Sequence, residues 1–150
     1  MSERAAVSRS PGRLTLSGVA TAATAAGLRQ QVGAWLAEHG VDAAQVCDVV
    51  LAVNEALANV VDHAYADQPG VGIMTVLVDH DPVASSVSVC VTDQGSWRRP
   101  RRRHARDMRG RGITLMHAVT DHCTISGRPE GTTVCLDYRI DAPQPRLEPA

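Results

Sequence analysis

The chain has 150 residues, a formal net charge of -1, and 44% hydrophobic against 21% charged residues, which is the size and apolar content of one folded domain and excludes a disordered chain. It has no Phe, two Trp and two Tyr, so the core must be aliphatic and stacking platforms for single-stranded nucleic acid are scarce. Every cation is Arg and none is Lys, which excludes a P-loop, whose lysine reaches the terminal phosphates.

Cys47, Cys90, Cys123 and Cys135 are widely separated and form no CxxC or Cys/His ligand spacing, so they read as reduced, partly buried thiols. The N-terminus MSERAAVSRSPGR lacks the apolar run of a signal peptide, and no stretch reads as long enough for a membrane span. A cytoplasmic protein without membrane attachment is expected.

Residues 1–12 are small and polar and end in Pro-Gly, while 141–150 are Pro-rich; both are expected to be flexible tails around a folded body over 13–140. Leu14, Leu16 and Val19 alternate as a short strand. From Ala22 to His39, Leu28, Val32, Trp35 and Leu36 recur at helical spacing, and Gly40 is a plausible stop. Asp42 can cap the next helix, in which Val46, Val49, Val50, Val53, Leu57, Val60 and Ala64 form an apolar stripe. At 100° per residue, Glu55 and Asn59 fall together on the side opposite that stripe. Beyond Gln68-Pro-Gly70, Val71, Ile73, Thr75 and Leu77, then Val87, Val89 and Val91, alternate as two strands joined near Asp79–Pro82. A basic loop follows from Gln94 to Arg109, then a short helix from about Gly112 to Asp121, then a hairpin of Cys123–Ser126 and Thr133–Arg139. This order predicts an α+β two-layer sandwich: a mostly antiparallel or mixed sheet with helices on one face.

Four segments could carry chemistry. On the second helix, Glu55 can accept a proton or orient a nucleophile, and the amide oxygen of Asn59, one turn on, is a hard neutral ligand for Mg²⁺. The strand end Asp93-Gln-Gly95 supplies a carboxylate that accepts hydrogen bonds, which suits the exocyclic amine of adenine and repels the carbonyl guanine carries there; Gly95 would let backbone approach a flat base. Arg109-Gly110-Arg111-Gly112 runs into a helix, whose exposed N–H groups and positive end favour phosphate, with the arginines neutralising charge. Finally, Thr132 or Thr133 in Glu130-Gly-Thr-Thr-Val134 could complete contacts to the same base, directly or through water. Taken singly each segment is ordinary, since amphipathic helices, Asp/Gly turns and hairpins show such residues anyway.

In order and spacing the four resemble the N, G1, G2 and G3 boxes of the GHKL (Bergerat) histidine-kinase-like ATPase superfamily. Glu55-Ala-Leu-Ala-Asn59-Val-Val-Asp-His63-Ala-Tyr65 and the segment Arg109 to Asp121 look most like the anti-sigma-factor serine/threonine kinases. The resemblance implies a Bergerat fold binding ATP or ADP with Mg²⁺ between the Asn59 helix and the glycine segment. Glu55 would be the general base, Asn59 the Mg²⁺ ligand, Asp93 the adenine reader with Thr132, and Gly95, Gly110 and Gly112 the close-approach glycines. Arg109, Arg111 and His63 would lie near phosphate. It further implies an anti-sigma regulatory factor that phosphorylates a STAS-type anti-anti-sigma factor and controls transcription by partner switching between it and a sigma factor. The alternative is a nucleotide-binding module that sequesters a partner without phosphoryl transfer. A homodimer is compatible with the sequence but nothing periodic demands it.

Eight arginines lie between Arg98 and Arg111, a strong local field that could serve an acidic partner or DNA. Direct DNA binding ranks behind the other readings, because Trp97 is the lone aromatic among them.

Overall fold

The computed structural model describes residues 6–65, 72–95 and 111–140, with 111–114 in backbone only. Strands β1 (Ala6–Ser10), β2 (Arg13–Val19), β3 (Ile73–Asp81), β4 (Ser86–Asp93), β5 (His122–Arg128) and β6 (Gly131–Arg139) form one six-stranded sheet. Its order is β1-β2-β3-β4-β6-β5, and every neighbouring pair is antiparallel. Helices α1 (Ala22–Glu38), α2 (Ala43–Asn59) and α3 (Arg111–Val119) complete an α+β fold.

The period-2 alternation decides which face of the sheet the helices cover. Leu16, Val76, Val91 and Val134 are register partners across four strands, as are Leu14, Val78, Val89 and Leu136, and all eight are buried. Against them pack Leu28, Val32, Trp35 and Leu36 of α1 and Val49, Val53 and Leu57 of α2. Each fully buried aliphatic side chain of this kind is worth about 1.5–3 kcal/mol over exposure, so this layer carries most of the fold. Thr21 caps α1 by accepting from the Thr24 N–H at 3.2 Å, and Asp42 caps α2 by accepting from the Ala44 N–H at 3.1 Å.

Three expectations from the sequence are corrected. Residues 6–12 are no tail: β1 pairs with β2 in full register from Ala6↔Ser17 to Ser10↔Arg13. Its side chains are all exposed, so no hydrophobic alternation announces it. Backbone pairing, the turn at Pro11-Gly12 and an Arg9–Glu38 contact of 3.4 Å hold it. Gly12, at φ 73°, occupies the left-handed position such a turn requires after proline. Second, Cys90 and Cys135 are not reduced thiols but form a disulfide across β4 and β6, while Cys47 and Cys123 are free.

Third, α2 continues through a π-helical turn, Val60–Ala64, and the 22 residues Ala43–Ala64, with a mean hydropathy of 1.4, are long and apolar enough by length and composition to cross a membrane. That composition has a different use here, because Val49, Val53, Leu57 and Val60 of this helix are core residues packed on the sheet.

Candidate functional site

At one end of the sheet the buried layer turns polar. Asp93 closes β4 and Thr132 lies at the start of β6; they are register partners, each 3% exposed, and they are the buried polar or charged residues among the described ones. Thr133 points to the opposite face, where its hydroxyl lies 3.4 Å from that of Thr92. Of the two threonines, only Thr132 therefore shares a face with Asp93. Burying a carboxylate beside a hydroxyl is expensive unless both are hydrogen-bonded, and Asp93 Oδ1 accepts from the Gly95 N–H at 3.0 Å.

Above this end lies the C-terminal half of α2 with its π-turn. The helical wheel places Glu55 and Asn59 on an accessible side, but α2 is packed against α1, α3 and the sheet at once, and every residue from Ala52 to Val61 is at least half-buried. Asn59 goes further. Its Nδ2 is enclosed and has no hydrogen-bond partner among the described residues, an arrangement that costs stability unless something completes it. A ligand oxygen would satisfy that donor; with the amide turned over, Oδ1 stands there instead, the atom through which a carboxamide holds Mg²⁺. His63 is half-buried on the π-turn. Single π-turns in helices occur frequently at functional sites.

The glycines of this region are set by backbone packing. A Cβ at Gly95 would overlap the Ala64 carbonyl, and one at Gly131 would overlap the Asp93 carbonyl. Gly95 thus lets the Asp93 loop press against the π-turn, a closer constraint than the approach to a flat base that the sequence suggests. Tyr65, which ends the π-turn, accepts from the Gln94 N–H at 2.9 Å and donates to the Ile73 carbonyl at 2.5 Å. The sequence gives no role to Tyr65, because a hydroxyl that bridges two backbone segments has no spacing signature.

Arg111 and Gly112 open α3, which packs on α2, so the glycine segment's helix stands beside Asn59's helix. Arg109 and Gly110, with the rest of the arginine-rich loop, lie outside the described residues. A shallow groove of about 480 Å³ at the opposite end of the sheet is lined by Gly12, Arg13, Asp79, His80 and Ser88. Arg13 and Asp79 there pair with each other at 2.7 Å in solvent, and the groove has neither the buried polar pair nor the unsatisfied amide found beside α2.

Residues 19–138, from the end of β2 into β6, match one family model, the histidine kinase-like ATPase domain. The chain belongs to that family. Membership implies nucleotide binding. The chain is also similar to a crystal structure of the RsbU and RsbW domains of Rv1364c from Mycobacterium tuberculosis, at 28% identity and a TM-score of 0.65, covering 87% of this chain and 33% of that one. A second likeness, to the histidine kinase domain of the Erythrobacter litoralis EL346 blue-light activated histidine kinase, has 18% identity and a TM-score of 0.52, covers 64% of this chain and 45% of that one, and concerns the fold alone. The ATPase domain thus spans about a third of the first solved chain and under half of the second.

Proposed function

We propose that this ATPase domain is a cytoplasmic, ATP-binding anti-sigma regulatory factor that acts as a protein serine/threonine kinase on an anti-anti-sigma partner. The observation that carries the nucleotide part is the buried Asp93–Thr132 pair facing the α2 end at which Asn59 has an enclosed, unpartnered amide. The order of the four boxes and the likeness to a chain containing an RsbW domain support the regulatory part.

Each residue has a definite task in this reading. Asp93, as an acceptor, selects a base edge that donates, which is adenine's and not guanine's. Thr132 lies on the same face to share that contact. Asn59 would hold Mg²⁺ through its amide oxygen. Mg-ATP, when bound, supplies the transferable phosphoryl group. Glu55, on the same helix face one turn before Asn59, takes the proton from the incoming hydroxyl of a serine or threonine. Such transfer relies chiefly on positioning and charge neutralisation, so a single carboxylate on a rigid helix is adequate equipment. Arg109 and Arg111 would neutralise phosphate charge, and His63 would lie near the same group.

Calorimetric titration with ATP, ADP and GTP, with and without Mg²⁺, tests the site. Adenine-selective, Mg²⁺-dependent binding that Asn59→Ala abolishes is the expected result; no binding at millimolar nucleotide sinks the reading. Transfer of radiolabelled phosphate to a STAS-type partner, lost in Glu55→Gln while nucleotide binding persists, separates a kinase from a module that only sequesters its partner.

A further inference from the structure

We infer that Tyr65 is a positioning residue for the adenine side of the site, a role that rests on the nucleotide reading above and extends it. Tyr65 follows the π-helical turn, and its hydroxyl is a two-way bridge: it donates to the Ile73 carbonyl at the start of β3 and accepts from the N–H of Gln94, the residue after Asp93. A phenol has one proton to give and lone pairs to receive, so both contacts can be made at once. The ring lies directly over Gly72, where any Cβ would overlap it, and the Gly72 carbonyl is itself fixed by the Ala20 N–H at 2.8 Å.

A chain of contacts then runs from helix to carboxylate. Tyr65 fixes Gln94, the preceding Ala64 carbonyl abuts Gly95, and the Gly95 N–H holds Asp93 Oδ1 at 3.0 Å. The π-turn matters because it brings Ala64 and Tyr65, consecutive residues, against consecutive residues Gln94 and Gly95. The carboxylate direction is therefore set from the end of the same helical segment that carries Asn59. Tyr65 touches no base or phosphate in this scheme. It acts through the loop, and its removal should weaken recognition of the base while leaving recognition of the phosphates alone.

The test is Tyr65→Phe, which keeps the ring over Gly72 and deletes the bridge. Calorimetry should show affinity for ADP and ATP falling about three- to tenfold, as expected for one or two neutral hydrogen bonds. Inorganic tripolyphosphate, used as a competitor against a fluorescent nucleotide, should bind both proteins equally, and the preference for ATP over GTP should narrow. Equal losses for tripolyphosphate and ATP would mean a general structural role and overturn the inference, as would ATP affinity within twofold of wild type. Failure of wild type to bind ATP at all would remove the nucleotide reading itself, a different outcome. A measurement on the unaltered protein covers the case in which the variant does not fold: the Gln94 amide should exchange slowly with solvent deuterium before nucleotide is added, and rapid exchange there overturns the bridge.

Discussion

Thr132 stands opposite Asp93 on the β4–β6 ladder, both side chains turned to the helix layer, whereas Thr133, one residue on, lies against Thr92 on the other face. The pairing yields a comparison between neighbours. Thr132→Val keeps the shape and removes a hydroxyl from the proposed base contact, and should weaken ATP binding by about two- to tenfold. Thr133→Val should leave binding unchanged. Asp93→Asn removes the charge and should cost about tenfold or more, since hydrogen bonds to charged groups are the stronger kind. Equal effects from the two threonine variants would place the base somewhere other than beside Asp93.

Gly95 and Gly127 offer a second contrast. An added methyl at Gly95 would collide with the Ala64 carbonyl, while one at Gly127 meets nothing within 4 Å. Gly95→Ala must push the Asp93 loop away from the π-turn, at a cost of roughly 1–3 kcal/mol, which for a chain of this length lowers Tm by roughly 2–10 °C. Gly127→Ala should not lower it. Nucleotide affinity should fall with the first variant alone, and a Gly95→Ala protein as stable and as tight-binding as wild type would show that the loop has room to move.

Much of this was legible in the residues. The stripe Val49, Val53, Leu57, Val60 and the alternation of Leu14, Leu16 and Val87, Val89, Val91 identify α2, β2 and β4, because burial on one face leaves a period in the sequence. Strand β1 left none, since its five side chains are exposed and it is held chiefly by backbone pairing. Single-helix geometry likewise misjudges the surroundings of Glu55 and Asn59, because a wheel knows nothing of α3. The disulfide was hidden for a related reason. Cys90 and Cys135 are 45 residues apart, and only the register of β4 with β6 makes them neighbours.

That disulfide joins strands already paired, three residues along each strand from Asp93 and Thr132. The Cα separation of 4.1 Å is that of a closely facing cross-strand pair, so the thiols can meet without displacement of either strand. Reduction, or Cys90→Ser with Cys135→Ser, should lower stability by roughly 2–4 kcal/mol, the usual worth of a disulfide that closes a loop of this size. Urea unfolding with and without dithiothreitol measures it. Because backbone pairing joins these strands with or without the bond, the reduced protein should still fold and still bind nucleotide, with a lower urea midpoint. An unchanged midpoint would indicate that the ladder alone holds β4 and β6.

The two free cysteines should differ in reactivity. Cys47 is exposed on α2, whereas Cys123 is partly buried on β5, where desolvation and, secondarily, the negative charge of Asp137 raise its thiol pKa. The thiolate is the reactive form, so a raised pKa leaves Cys123 with less of it at neutral pH, and burial restricts access as well. Iodoacetamide at pH 7 should therefore modify Cys47 first. Cys123 should follow slowly and accelerate as the pH rises toward its raised pKa, while Cys90 and Cys135 stay unmodified until a reductant is added. Mass spectrometry of peptides sampled over time resolves all four sites. Modification of Cys123 ahead of Cys47 would mean that partial burial and the raised thiol pKa do not govern its reactivity, and would point to local opening of β5 at neutral pH.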